Sequence, residues 1–343
     1  MKKTLFITIM IPFILCLCSC SNKETTTVVP DFYYGTITTS NSSDFCKISL
    51  FDENTNLQFN QEYRDYANVS GLNFCNASIY HGYLYFLYEG FYWTKTNDII
   101  RVNLSTLKDE PLHLDRNNIT SFVTDDNILY STTNTDLMTI IDSYNMDTGE
   151  KKFFEVKDLV LMDLYPYHGS LYAISTNEEK PHLYQVDVSH QKLTSLLDLS
   201  PYLANETPTS SCIYKDNLYF VCDSKIIKWN PQSNQLEEIP LSTSDIYTVQ
   251  QQDDVLYLLS STDIDNALAS SKLITFDLSS EKELCKASLP VCAIQFYISG
   301  DTLYCVTEDD CVCQLEKSNE EYKVIKNLTV ATSDDEYTPI LFH

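Results

Sequence analysis

Cys212-Ile213-Tyr214-Lys215-Asp216-Asn217-Leu218-Tyr219-Phe220-Val221 consists of two apolar runs joined by a short polar turn, the pattern of a β-hairpin. Asn, Asp and Gly suit such turns because they tolerate positive φ. The same arrangement recurs along the chain. Counterparts of Leu218-Tyr219 stand at Tyr33-Tyr34, Leu84-Tyr85, Leu129-Tyr130, Leu171-Tyr172, Leu256-Tyr257 and Leu303-Tyr304, and the second tyrosines are 51, 45, 42, 47, 38 and 47 residues apart. Most are preceded by a turn: His81-Gly82, Asp125-Asp126-Asn127, His168-Gly169, Asp253-Asp254 and Gly300-Asp301. A period of this length, rich in β-branched and aromatic residues, is that of a β-propeller blade.

Each unit carries a further alternating run that ends in an acidic or amide residue, such as Ile100-Arg101-Val102-Asn103, Tyr184-Gln185-Val186-Asp187, Ile227-Lys228-Trp229-Asn230 and Ile274-Thr275-Phe276-Asp277. Asn and Asp belong there because their side chains cap turn backbone. A polar turn and a last apolar strand follow. The unit is therefore four antiparallel strands, A to D, with the dipeptide opening strand B. Its tyrosines are expected to pack between blades. The sequence predicts an all-β propeller of seven such blades, or of six if residues 30–60 form none. The first unit lacks a strand A, and the last is followed by the spare apolar segment Tyr337-Thr338-Pro339-Ile340-Leu341-Phe342. That segment is expected to close the ring by joining the first blade, which removes two open sheet edges.

With 24 Tyr, 16 Phe and 43% hydrophobic residues, the chain can build a large core. The repeat fills residues 30–343 without a linker-like break, which favours one domain there. Residues 1–19 have the pattern of a signal peptide: Lys2-Lys3, then an apolar core from Leu5 to Leu17 that is too short to span a bilayer comfortably. Residues 20–29 are a polar tether. The net charge of −25 disfavours nucleic acid and anionic lipid surfaces as partners.

Leu17-Cys18-Ser19-Cys20 resembles the bacterial lipobox. The resemblance implies a diacylglyceryl thioether on Cys20, an acylated new N-terminus and an extracytoplasmic, membrane-anchored protein. Acyl chains in a bilayer contribute about 0.8 kcal/mol per CH₂, so two or three chains anchor durably. Phe91-Tyr92-Trp93-Thr94, followed by Ile99-Ile100-Arg101-Val102-Asn103-Leu104, resembles the YWTD repeat of receptor propellers, although Lys95 stands where that motif has Asp. The blade rhythm joined to a lipobox is similar to that of uncharacterised bacterial lipoprotein propellers with degenerate YWTD- or WD40-like repeats.

The chain has no P-loop and no GxGxxG, GxSxG or HExxH motif, and no catalytic residue, cofactor or metal ligand set is assigned. Of its 12 cysteines, nine lie beyond Cys20, an odd number without regular spacing, which favours buried free thiols over a disulfide framework. A bond between Cys212 and Cys222, which flank one hairpin, is conceivable. His81 and His168 occupy equivalent turn positions and read as structural. Asp263-Ile264-Asp265-Asn266 has alternating oxygen ligands that could hold Ca²⁺ weakly, but it lacks the glycine and glutamate of an EF-hand loop.

The span from the strand-B tyrosine to the strand-C acidic or amide residue is 18, 18, 15, 15, 11, 20 and 12 residues in blades 1 to 7. Insertions tend to mark a binding face, and they point to blades 1, 2 and 6. Tyr88, Phe91, Tyr92 and Trp93 in blade 2, with Asp263 and Asp265 in blade 6, are the candidate ligand-binding residues. The expected function is a lipid-anchored binding module for a protein, peptide or glycan. The alternatives are a glycan lyase or hydrolase using loop carboxylates, and an accessory or sensor subunit of an envelope complex.

Overall fold

A computed structural model describes residues 33–40, 45–52, 54, 56–63, 77–88, 98–114, 116, 119–135, 137–175, 181–203, 206, 208–261, 271–309, 311–318, 321–328 and 336–342. They form a seven-bladed β-propeller, each blade a four-stranded antiparallel sheet. Blade 5 is representative: strand A is Ser210–Tyr214, B is Asn217–Val221, C is Lys225–Asn230 and D is Gln235–Pro240. A four-residue helix, Ser200–Leu203, is the one helical element among the described residues.

Blade 1 takes its strand A from the other end of the chain. Glu336–Phe342 pairs antiparallel with Tyr33–Ser40, with Leu341 opposite Tyr34 and Pro339 opposite Thr36. Proline is tolerated there because this strand is the free inner edge of its sheet. The ring is closed as expected, and residues 30–60 do supply a blade, so the six-bladed alternative falls.

The sequence signals act where they were expected. Each of the six A–B turns is two residues long, and its first residue has positive φ: His81, Asp126, His168, Lys215, Asp253 and Gly300. At the end of strand C, Asn103 Oδ1 accepts the backbone N–H groups of Ser105 and Thr106, and Asn145 those of Asp147 and Thr148. Asn230 accepts from Gln232 and Ser233, and Asp277 from Ser280. These bonds satisfy turn amides that no strand partner reaches.

The core lies in the seams between blades rather than inside any one sheet. One apolar cluster joins blades 4 and 5 through Tyr172, Phe220 and Trp229; the next joins blades 5 and 6 through Tyr219, Leu256 and Phe276. The repeated tyrosines are the mortar. Tyr34, Tyr85 and Tyr219 are each only 1% exposed. The Tyr85 hydroxyl reaches Met146 Sδ of the next blade at 3.0 Å, and Tyr172 meets Trp229 edge-on at 5.1 Å. Aromatic pairs of this kind contribute about 0.5–1.5 kcal/mol beyond their area burial.

Candidate functional site

The two faces of the ring differ. On one face the A–B turns are uniform and the C–D turns run from two residues (319–320) to five (52–56). On the other, the B–C connections range from 136–137 to 89–97 and 262–270, and the D–A connections from 158–160 to 64–76 and 199–209. Blades 2 and 6 carry the long B–C connections, as expected. Blade 1 does not. Its long tyrosine-to-aspartate span is taken up by strands, Tyr33–Ser40 and Phe45–Phe51, which leave only residues 41–44 between them. Strand length and loop length are indistinguishable when only the span is counted.

Phe91, Tyr92, Trp93, Asp263, Asp265 and Cys20 lie outside the described residues. Tyr88 ends strand B of blade 2, Tyr83–Tyr88, with its backbone paired to Asp98, and so stands at the root of the 89–97 connection. Among the described residues, no group of three or more His, Cys, Asp or Glu side chains is placed to hold a metal ion.

A cavity among the described residues lies elsewhere, in the seam between blades 3 and 4 on the short-turn face. It measures about 380 Å³. Its origin is a single row of the sheet register. In every blade the strand-B tyrosine has one strand-C residue opposite it: Phe51, Arg101, Ser143, Gln185, Lys228, Thr275 and Gln314 in blades 1 to 7. In blade 2, Arg101 fills this place and pairs with Glu110 of strand D at 2.8 Å. In blade 5, Lys228 fills it, bound to Glu281 of blade 6 and 3.6 Å from Glu237. Ser143 is the smallest of the seven, and space is left beside Tyr130.

Both blades line this cleft with polar and apolar groups. Blade 3 contributes Tyr130, Ser143, Asn145 and Lys152, the last directly opposite Ser143 on strand D. Blade 4 contributes Leu171, Val186 and Val188 of this seam's apolar cluster, together with the polar Ser170, Gln185, Asp187 and Ser189. The Lys152 side chain is 46% exposed and lies 3.3 Å from Glu150. Burial raises the Tyr130 phenol above its ordinary pKa, and the carboxylates of Asp125 and Asp187 add to the effect, so the hydroxyl is neutral and available to hydrogen-bond. A second depression, of about 520 Å³, lies on blade 5 around Lys228, Asn230 and Glu237, with no wall from another blade.

Sequence reasoning named none of the cleft residues as a site. The signal is present, but it is the absence of a long side chain at one position of a repeat, visible only once the blades are aligned in register. The cysteines also rearrange. Cys212 packs toward blade 6 and Cys222 toward blade 4, on opposite sides of one sheet, so no bond joins them. Cys305 and Cys313, by contrast, stand opposite each other on neighbouring strands of blade 7, both buried, and burial raises the Cys305 thiol well above its usual pKa.

No protein-family model matches the chain, and no characterised protein matches it by sequence. Solved structures do match its fold. AztD from Citrobacter koseri is 9% identical, with a TM-score of 0.51 over 90% of this chain and 98% of that one. The tricorn protease is 9% identical, with a TM-score of 0.51 over 91% of this chain and 36% of that one. A chain of the mitotic checkpoint complex is 9% identical, with a TM-score of 0.50 over 75% of this chain and 77% of that one. At such identities the likeness is one of propeller architecture, and function has to be argued from the site.

Proposed function

We propose that the protein is a binding module, held outside the cytoplasm by lipid on Cys20, which meets a protein, peptide or glycan partner through the face bearing the long connections. The observation that carries this reading is the asymmetry of the ring. Two-residue turns repeat around one face, while connections as long as 89–97, 262–270 and 64–76 are confined to the other. A scaffold that holds one face constant while its opposite connections vary is the usual arrangement of a recognition surface. The aromatic run Phe91, Tyr92 and Trp93 and the carboxylates Asp263 and Asp265 belong to two of those connections and are the proposed contacts.

Two arms test it. A photo-crosslinking residue in place of Tyr92 should yield a discrete adduct in intact cells. One in place of Ser279, on a C–D turn, should yield none, and the adduct should vanish when Trp93 becomes Ala. Equal adducts from both positions sink the assignment of the face. Metabolic labelling with an acyl precursor tests the anchor: Cys20→Ser should abolish the label and release the protein from membranes, and a label that survives sinks it.

A further inference from the structure

We infer that the cleft between blades 3 and 4 is a binding site for a neutral saccharide unit. Its volume of about 380 Å³ falls at the small end of the range for ligand sites, roughly 300–1,000 Å³. Its walls match a sugar ring, which carries hydroxyls at its edge and C–H groups on its faces. The Tyr130 phenol, the Ser143 hydroxyl and the Asn145 amide line one side; on the other, Val186 and Val188 lie among the polar Ser170, Gln185, Asp187 and Ser189. Lys152 and Glu150 lie at the same cleft 3.3 Å apart, so their charges offset each other, while Asp187 adds a carboxylate that disfavours anions and can accept from sugar hydroxyls.

The site lies where the row has its smallest residue. At the place of Ser143, Arg101 is held by Glu110 of its own blade, and Lys228 crosses its seam to Glu281 of blade 6. Thr275, the next smallest residue of the row, donates to the Cys285 carbonyl, and Tyr322 of blade 7 joins Tyr257 in the apolar cluster of that seam. Between blades 3 and 4 the small residue coincides with a cavity walled by both blades. The cleft opens on the short-turn face, so this inference stands apart from the partner reading.

The closed seam between blades 2 and 3 supplies a variant that should fold. Ser143→Arg with Lys152→Glu rebuilds the Arg101–Glu110 pair in the same register. Titration calorimetry would use glucose, galactose and N-acetylglucosamine as free sugars, and the β1-4 tetramer of N-acetylglucosamine as a glycan end. Wild type should bind at least one of them, and the double variant at least about tenfold more weakly with its melting temperature kept. Tyr130→Phe, which keeps the packing and removes the hydroxyl, should also weaken binding. Tighter binding of the tetramer than of every monomer assigns the site to a glycan; tightest binding of a monomer assigns it to a free sugar. Binding of none of the four, or equal binding by wild type and double variant, overturns the inference. The double variant should leave the Tyr92 crosslink intact, which separates the two proposals.

Discussion

The seam between blades 5 and 6 and the seam between blades 3 and 4 begin from the same register: a strand-B tyrosine, the strand-C residue opposite it and a strand-D residue beyond. In the first, Tyr219 donates to Glu281, Lys228 pairs with the same carboxylate, and the interface is filled. In the second, Ser143 and Lys152 take the places of Lys228 and Glu237, and Tyr130 faces open space. The backbone does not distinguish them. The contrast shows how a repeat scaffold acquires an individual site: one side chain shortened in one copy, with the fold carried by the other six.

The comparison presupposes a closed ring, and the severest test breaks that closure. Removing residues 336–343 strips the inner strand from blade 1, exposes its backbone edge and deletes the buried Leu341. The expected loss is at least about 5 kcal/mol, or a fall in melting temperature of more than about 10 °C at roughly 2–4 °C per kcal/mol. A scanning calorimetry trace at the wild-type temperature would show that the seams are stable without closure.

A smaller change makes the filled seam resemble the open one. Lys228→Ser leaves Glu281 and Glu237 without their shared cation and opens space beside Tyr219. The cost should be about 1–2 kcal/mol, the scale of a partly buried hydrogen bond to a charged group, read from the midpoint of urea unfolding. The reciprocal filling of the open seam, Ser143→Arg with Lys152→Glu, should cost less than about 1 kcal/mol. If Lys228→Ser is neutral, the seam is held by its apolar cluster alone and the row of register has no energetic meaning.

Much of the ring was legible in the sequence, because strand alternation, positive-φ turns and capping Asn or Asp residues are local and recur seven times. Even the closing strand could be read, since Tyr337–Phe342 was an apolar run with no other partner. Blade 3 shows where reading falters. Its strand B continues Ser131-Thr132-Thr133-Asn134 where other blades are apolar, and it still packs inside. Two of the four find distant partners, since Ser121 and Thr132 hydroxyls meet at 2.8 Å and Asn134 donates to the Leu161 carbonyl of blade 4, while the Ser131 and Thr133 hydroxyls are buried without one among the described residues. Nearby, Arg116 grips Asp142 with two bonds of 2.7 and 2.8 Å. None of these partners follows from periodicity. The cleft escaped for a related reason: apolar patterning reports what is buried, and a missing side chain in a polar row leaves no apolar trace. The facing pair Cys305 and Cys313 escaped because spacing says nothing of register across a hairpin.

The subtlest contrast between the two seams is in their response to base. Burial raises the phenols of Tyr34, Tyr247 and Tyr322 to about 12, and raises Tyr219 further, with the Glu281 carboxylate adding to the effect. A phenol whose pKa is higher in the folded chain holds its proton more tightly there. Its contribution to stability is complete below pH about 10, where the unfolded phenol titrates, and is lost as pH rises toward the folded value. Melting temperature should therefore hold to pH about 10 and fall between about 10 and 12. Tyr219→Phe should blunt that fall more than Tyr130→Phe, because Tyr219 also hydrogen-bonds the Glu281 carboxylate, whereas Asp125 and Asp187 act on Tyr130 by charge alone. Melting curves of the two variants across this range, with phenolate absorbance followed in parallel, decide it. An equal response would mean that the hydrogen bond to Glu281 adds nothing to what burial and neighbouring carboxylates do at both tyrosines.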